Sequence, residues 1–369
     1  MSPPHGSAER DRFALAARKA PALERIPAIV TAGDGKASRA VYGDAKVYLE
    51  VAGRTLVART ASVLMRVPEV SEVWVVGNAE RLEATLRGDA ELCASLCKPV
   101  YVVPQYGSLY ENAWQTFRRL LPGAPPEGRD PLGAELDQRV LYLSADLPFA
   151  APQELSTFIQ RGVAAGCDYA LGLVTEESLA PFYPARGKPG IEMAYFNVAD
   201  GRVRQSNLHL VRPGRFGHRW YIEDMYEHRY QKEFFHAVAL AYRLLTYKGG
   251  GLSLVLYFAV MHLAGVADRA HLRSLADALR RFVSFARIDR ACSQLLDTRF
   301  RLIVTEVGGC GLDIDSERDI DIARERFEEW SKQQAEHAAQ LHGVAALPEH
   351  AGARSGAAIQ RIAAARSHA

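Results

Sequence analysis

The sequence IPAIVTAG at Ile26–Gly33 joins an apolar run of strand length to a loop with a second glycine, Gly35. Three cations, Lys36, Arg39 and Lys46, follow in or shortly after this loop. A structural turn needs one or two flexible residues and no cations, whereas a loop that wraps phosphates needs glycines, bare N–H groups and positive side chains together. On its own the loop fits either description, so the rest of the chain has to decide between them.

After this strand, apolar runs of strand length alternate with segments of helical periodicity. The predicted strands are 26–33, 70–77, 99–104, 139–149 and 168–175, and the predicted helices between them are 55–68, 79–87, 108–121 and 152–166. This alternation predicts an α/β fold with a mostly parallel sheet that is covered on both faces. Ligands of such sheets bind outside the carboxyl ends of the strands, where the glycine loop and Asp146 both lie.

The pattern changes after residue 185, which predicts an α+β insertion at about 186–300. It begins with two strands joined at Asp200-Gly201, a hairpin turn sequence, and continues as a helical region over 222–292. A strand at 300–307 and a capped helix at 315–330 then return to the α/β pattern. We therefore predict an N-terminal extension at 1–25, one main domain at 26–330, and a partly disordered tail at 331–369.

Composition excludes several classes of protein. The chain has 369 residues, of which 48% are hydrophobic and 24% charged, with a formal net charge of +2. It can bury a large core, and near-neutral charge argues against a nucleic-acid partner. The five cysteines form no CxxC pair, which predicts neither a disulfide framework nor a zinc site and favours a reduced, cytoplasmic setting.

No segment of the sequence predicts a membrane span or a secretory signal. The longest apolar stretch, Gly251–Ala267, is shorter than the roughly 20 residues that a spanning helix needs. A buried helix is the expected structure for this stretch, and an interfacial helix is the alternative.

Aspartates supply the chemistry-bearing side chains. Asp146 ends the strand of YLSADLPF, a position where a carboxylate either holds a metal or caps a loop. Capping of the next predicted helix is the alternative, but that helix begins several residues after Asp146. Asp313 and Asp315 flank Ile314 at the end of the returning strand, so alternation predicts that one faces a site beside Asp146 and the other caps the following helix. Carboxylates from separate strands are suited to Mg²⁺ that bridges nucleotide phosphates.

The order of these motifs resembles the MobA-like nucleotidyltransferases, relatives of the molybdenum-cofactor guanylyltransferase and of sugar-phosphate nucleotidylyltransferases. The shared features are the apolar strand with its glycine loop, Arg39 and Lys46 seven residues apart, SADLP at 144–148 and DIDSERD at 313–319. The glycine loop is longer than is usual in that family, and AGRTLV at 52–57 replaces the usual GKPL. The resemblance covers roughly 26–175 and 301–330.

The resemblance implies a Rossmann-like three-layer sandwich of the nucleotide-diphospho-sugar transferase type, also called GT-A-like. It implies Mg²⁺-dependent transfer of a nucleotidyl group from an NTP to a phosphorylated small-molecule acceptor, with release of pyrophosphate. Implied nucleotide-binding residues are Ala32, Gly33, Gly35, Lys36, Arg39, Lys46, Gly107, Ser108 and Asn112. Implied metal ligands are Asp146 with Asp315 or Asp313, and the implied catalytic residues are Lys46, Arg39 and Asp146. A position on an ordinary helix face is the alternative for Asn112.

The predicted insertion is expected to form the acceptor side. It interleaves arginines with aromatic residues, and Arg204 and Asn207 are the candidates for acceptor contact. The apolar helical part is consistent with homodimerisation or with a lipid-like acceptor. A GT-A-type glycosyltransferase and a non-catalytic nucleotide-binding protein are the two alternative functions.

Overall fold

The computed structural model of the chain describes residues 24–34, 40–185, 187–218, 251–343 and 357–362. Most of the predicted N-terminal extension and the first part of the predicted helical region therefore lie outside the described residues. The described strands, in chain order, are β1 (Ile26–Ala32), β2 (Ala40–Val41), β3 (Asp44–Ala45), β4 (Glu50–Val51), β5 (Arg54–Thr55), β6 (Val70–Gly77), β7 (Val100–Pro104), β8 (Val140–Ser144), β9 (Tyr169–Thr175), β10 (Phe196–Val198), β11 (Gly201–Val211), β12 (Phe300–Thr305) and β13 (Ile359–Arg361).

A mixed sheet of nine strands forms the centre of the described structure. Its order is β13-β7-β6-β1-β8-β11-β9-β12, and β10 pairs with β11 outside this path. Strand β11 runs antiparallel to β8, β9 and β10, whereas the other pairs are parallel. The prediction of an α/β fold with a mostly parallel, mixed sheet is confirmed. Strands β2 with β3 and β4 with β5 form two small hairpins beside this sheet.

Ten α-helices are described. They are α1 (Leu56–Met65), α2 (Ala79–Gly88), α3 (Ala90–Ser95), α4 (Leu109–Leu120), α5 (Pro152–Ala164), α6 (Glu176–Leu179), α7 (Gly251–Arg269), α8 (Arg273–Arg280), α9 (Phe285–Leu296) and α10 (Glu317–His342). None of the helices in the described part of the chain has the length and apolar character to cross a bilayer.

Strand β1 shows why the sheet is covered on both faces. Its side chains alternate between the two faces: Ile29 packs with Phe117 of α4 on one face, and Val30 packs in the cluster that contains Phe158 of α5 on the other. Six of its seven residues are buried, as expected for a central parallel strand. The middle of the sheet is therefore fixed, and its strand ends are placed side by side.

Two parts of the chain join the main sheet although the sequence pattern did not indicate it. Strand β11 belongs to the predicted insertion, but it lies between β8 and β9 in the sheet. In the predicted tail, α10 continues to His342 and β13 pairs with β7. The domain boundaries themselves stay predictions.

Candidate nucleotide- and metal-binding site

The loop after β1 lies at the carboxyl edge of the sheet. Ala32 is buried as the last residue of β1, and Gly33 follows it directly. A Cβ atom built at Gly33 would lie 3.3 Å from Oε1 of Gln105, so a larger side chain would crowd the neighbouring loop. The three predicted phosphate-binding residues Gly35, Lys36 and Arg39 lie outside the described residues, and their roles stay predictions.

Gln105 joins this loop to the loop after β7. The backbone N–H of Asp34 donates to Oε1 of Gln105 at 3.1 Å, and Nε2 of Gln105 donates to Oδ1 of Asp34 at 2.7 Å. Gln105 is not among the site residues predicted from the sequence. Its position directly after the strand end Pro104, at the carboxyl edge of a parallel sheet, is the feature that could have identified it.

The predicted base-binding residues shape the loop before α4. The hydroxyl of Ser108 caps this helix by accepting from the N–H of Glu111 at 3.1 Å. The buried side chain of Asn112 accepts from the N–H of Tyr106, so it is turned onto the loop rather than onto an ordinary helix face. The N–H of Gly107 donates to Oε2 of Glu111 at 3.2 Å. Base recognition by Gly107, Ser108 and Asn112 stays a prediction.

Lys46 starts a short 3-10 turn, and its ammonium group lies between two carboxylates. Nζ forms ion pairs with Asp146 and, at 2.9 Å, with Oδ1 of Asp315. Burial lowers the pKa of Lys46, but the charges of Asp146 and Asp315 outweigh this effect and raise the pKa above its usual value. The ammonium group therefore keeps its proton and neutralises part of the acidic cluster.

Asp146 is the most buried carboxylate of this site, with 1% of its surface exposed. It lies just past β8, and β8 pairs in parallel with β1, so the end of β8 is brought beside the glycine loop. The hydroxyl of Ser144 donates to Oδ1 of Asp146. One oxygen is thus held by a neutral donor and the other by Lys46.

Both Asp313 and Asp315 face Asp146, which corrects the predicted geometry. One carboxylate oxygen from each of the three aspartates lies within 4.8 Å of the others. The alternating direction of side chains along a strand does not apply to these two aspartates, because they lie in irregular backbone. Strand β12 already ends at Thr305, and a 3-10 turn at Gly309–Gly311 separates it from them. The predicted capping role is also wrong, since Ser316 caps α10 by accepting from the N–H of Asp319 at 3.2 Å.

The surroundings of Asp313 raise the pKa of its carboxyl group. Burial raises its pKa first, and the negative charges of Asp146 and Asp315 raise it further. Arg204 opposes this shift, because its Nη2 donates to Oδ1 of Asp313 at 2.9 Å while its Nε donates to the carbonyl of Gly311 at 3.0 Å. A cation bound between the three carboxylates would relieve the same repulsion.

Strand β11 supplies both predicted acceptor residues, and both contact the segment that carries Asp313. Asn207 adopts the left-handed conformation, with φ of 56°, at an irregularity of the ladder with β9. Its Nδ2 donates to the carbonyl of Cys310 at 3.4 Å. In this structure Asn207 and Arg204 hold the segment 306–316, which carries Asp313 and Asp315 and which we call the metal-side loop. Contact of these two residues with an acceptor stays a prediction.

The donor set fits a hard divalent cation. Three carboxylates offer only oxygen atoms, which Mg²⁺ and similar ions prefer, and no cysteine or histidine belongs to the cluster. A separate cavity of about 760 Å³ lies at the amino ends of β9 and β12, where it is lined by residues such as Cys167, Asp289 and Arg301. It is at the opposite edge of the sheet and is not part of this site.

Comparison with solved structures gives distant likenesses. A structure described as a hypothetical transferase from Thermus thermophilus is 20% identical, with a TM-score of 0.47 over 80% of this chain and 99% of that chain. A 4-diphosphocytidyl-2C-methyl-D-erythritol synthase from Anaerococcus prevotii is 13% identical, with a TM-score of 0.40, and the coverages are 83% and 99%. A CMP:2-keto-3-deoxy-manno-octonic acid synthetase complexed with CTP is 12% identical, with a TM-score of 0.42 and the same coverages. These values are too low to carry an argument about substrate.

Comparison with known families gives a direct match. None of the curated proteins matches the sequence. The family model described as MobA-like NTP transferase domain matches residues 28–202, which include the glycine loop, Lys46 and Asp146. The sequence resemblance is confirmed over this range: residues 28–202 match a MobA-like NTP transferase domain, which supports the prediction of a nucleotidyltransferase.

Proposed function

We propose that this protein catalyses Mg²⁺-dependent transfer of a nucleoside monophosphate group from an NTP to a phosphorylated small-molecule acceptor, with release of pyrophosphate. The observation that supports it best is the cluster of Asp146, Asp313 and Asp315 with Lys46 at its centre. This cluster lies at the carboxyl edge of the sheet, next to the loop after β1. Opposite charges are thereby concentrated where such folds bind nucleotides.

In this proposal the three aspartates would hold Mg²⁺. When bound, the ion would supply positive charge to the phosphates and so stabilise charge that develops during transfer. The phosphate of the acceptor is already a nucleophile, and the protein needs mainly to align two polyanions. This requirement agrees with a site that has carboxylates and cations but is not built around a catalytic base.

Lys46 is assigned a second role toward the nucleotide. Its ammonium group now balances Asp146 and Asp315, a role that a divalent cation would take over. Released from the carboxylates, Lys46 would bind the phosphates of the NTP as a compact point charge. Arg39, Gly33 and Gly35 would complete the phosphate site, and Arg204 and Asn207 would lie on the acceptor side. A cytoplasmic location and a homodimer stay predictions.

The experiment is thermal stabilisation by ATP, CTP, GTP and UTP, each with and without Mg²⁺. A nucleotide at about 100 times its dissociation constant stabilises the folded state by roughly 2.7 kcal/mol. We expect one NTP to stabilise the protein only with Mg²⁺, and Asp146→Asn to abolish the effect. Asp130→Asn is the matched control, because the Asp130 side chain is 73% exposed and lies outside the site.

Lys46→Met separates the metal role from the nucleotide role. We expect the variant to keep Mg²⁺ binding, because its carboxylates are no longer neutralised, and to lose at least about tenfold in NTP affinity. Unchanged NTP affinity in Lys46→Met, or Mg²⁺-independent binding by the wild type, would contradict the proposal. Pyrophosphate release with candidate phosphorylated acceptors then tests the reaction itself.

One observation favours the glycosyltransferase as the second candidate. Asp313 and Asp315 belong to the sequence DID, and both carboxylates face the same point, as a D-x-D pair that binds a metal would require. Stabilisation by a nucleotide-sugar and Mg²⁺, with none by free NTPs, would favour this candidate. Binding of an NTP without turnover of any acceptor would favour the non-catalytic alternative.

A further inference from the structure

Side chains of α7 and α8, together with Phe282 just after α8, form an exposed apolar surface. Its large side chains are 50–61% exposed, and six of them define what we call the apolar face: Leu256, Phe258, Leu263, Val266, Leu275 and Phe282. On α7, Leu256, Leu263 and Val266 recur at helical spacing, so they share one side of the helix. Exposed groups of this size are unusual on a protein surface that contacts only water.

The opposite side of α7 is fixed to the sheet. Tyr257, Val260 and Met261 pack against a cluster that contains Leu173 of β9 and Val203 of β11. The expectation of a buried helix is therefore correct for only one side of α7. One side of α7 is covered by the protein, and the apolar face points away from it.

Basic residues accompany the apolar face. The segment 273–282, RSLADALRRF, has three arginines and one aspartate. Arg280 pairs with Asp277, whereas no ion pair joins Arg273 or Arg281 to another residue in the described part of the chain. Two exposed cations therefore lie in the same segment as Leu275 and Phe282 of the apolar face.

We propose that the apolar face docks on an anionic lipid bilayer surface. Apolar side chains that insert at the level of the headgroups and arginines that contact anionic phosphates are the two components of interfacial binding. A second copy of this chain fits less well, because a twofold contact through the same face would bring the unpaired arginines of both copies close together. A nucleic acid would leave the apolar side chains without a partner.

The helix that carries the apolar face contacts the strand that carries Arg204. Near the end of α7, the carboxylate of Asp268 lies 3.7 Å from Nη1 of Arg202. Arg202 precedes, by two residues on β11, the Arg204 that contacts Asp313. The docking itself does not depend on the proposed reaction and is tested without it.

The test is flotation of the full chain with vesicles of phosphatidylcholine alone and of phosphatidylcholine with about one third phosphatidylglycerol. We expect binding to the anionic vesicles, at least tenfold weaker binding to the neutral ones, and loss of binding as salt is raised. Arg273→Glu with Arg281→Glu should weaken binding by at least roughly 25-fold, since each arginine contributes about fivefold near an anionic surface.

A second variant tests the apolar component. Leu263→Asp with Val266→Asp should abolish flotation while thermal unfolding stays cooperative. Leu132→Asp is the matched control, because Leu132 is 71% exposed but lies far along the chain from α7 and α8. It should float like the wild type.

Two results would overturn the proposal. A dimer by light scattering that floats with neither vesicle, and that Leu263→Asp dissociates, would assign the face to a second copy of the chain. A monomer that floats with neither vesicle would show that another part of this chain covers the face. Either result leaves NTP stabilisation unaffected and so separates this proposal from the proposed function.

Discussion

Glu154 is a fully buried carboxyl group that connects α5 to the metal-side loop. Its Oε2 accepts from the N–H of Cys310 at 3.0 Å, three residues before Asp313. Burial raises the pKa of Glu154 to about 8, although hydrogen bonds from the Cys310 region oppose the shift. The group is therefore mainly protonated at neutral pH.

This pKa predicts a specific dependence of stability on pH. Because the folded-state pKa lies above the unfolded value of 4.5, the folded protein holds a proton that the unfolded chain releases. The stabilisation is complete below about pH 4.5 and is lost as the pH rises toward 8. In Glu154→Gln, which keeps an oxygen acceptor for Cys310, this loss should be absent. The difference is on the order of a few kcal/mol, at about 1.4 kcal/mol per pKa unit.

Urea unfolding of the wild type and of Glu154→Gln between pH 5 and about 8 measures this difference in the free energy of unfolding. The free energy of unfolding of the wild type should fall relative to that of Glu154→Gln across this range. Parallel curves would mean that Glu154 titrates normally in the folded protein. Glu135→Gln is the control, because hydrogen bonds with Arg129 lower the pKa of this carboxyl to about 2, so it stays ionised throughout.

At the scale of elements, the 3-10 turn Gly309–Gly311 determines how the aspartates meet. A Cβ atom built at Gly309 would lie 1.9 Å from the carbonyl oxygen of Phe149, in the loop that follows Asp146. The two loops touch through their backbones, and only glycine permits this distance. The contact places Asp146 from one loop beside Asp313 and Asp315 from the other.

Gly309→Ala should therefore separate the metal ligands. We expect a destabilisation of about 1–3 kcal/mol from the forced shift of backbone, together with a loss of Mg²⁺-dependent NTP stabilisation by about tenfold or more in affinity. Isothermal titration with Mg²⁺ and the preferred NTP measures the second effect. Gly88→Ala is the control, since nothing lies within 4 Å of a Cβ atom at Gly88. Equal nucleotide affinity in both variants would show that the contact is not needed for the site.

At the scale of the whole molecule, a short strand near the end of the chain extends one edge of the sheet. Strand β13 pairs in parallel with β7, and Ile359 is buried with 7% of its surface exposed. Nη2 of Arg87, on α2, donates to the carbonyl of Ile359 at 2.9 Å. The outer side of β7 is thereby paired, and the short β13 becomes the edge strand.

Removing residues 357–369 should expose this edge. We expect a loss of about 2–4 kcal/mol in the free energy of unfolding, from the burial of Ile359 and the strand hydrogen bonds, and greater aggregation on heating. Chemical unfolding and light scattering measure the two effects. A chain that ends at residue 362 is the control and should match the full chain. If the chain without residues 357–369 is as stable as the full chain, β13 contributes nothing to the stability of the fold.

The sequence by itself determined the elements whose signals are local. The predicted strand at 70–77 is β6 without a change of bounds, and the predicted helix at 108–121 is α4 within one residue at each end. Apolar periodicity and capping residues act over a few positions, so a single chain displays them directly. The positions of the glycine loop and of Asp146 at the carboxyl edge of the sheet follow from the alternation of predicted strands and helices. Residue types then suggested a nucleotide and a hard metal.

Only the tertiary structure decided which distant segments meet. The sequence does not show that β11 enters the middle of the sheet or that β13 pairs with β7, because pairing partners far apart in the chain leave no local pattern. It also missed Gln105, and it misjudged Asp313 and Asp315, whose directions are set by an irregular turn packed against another loop. Side-chain direction follows alternation only inside a strand, and these carboxylates lie beyond the strand's end.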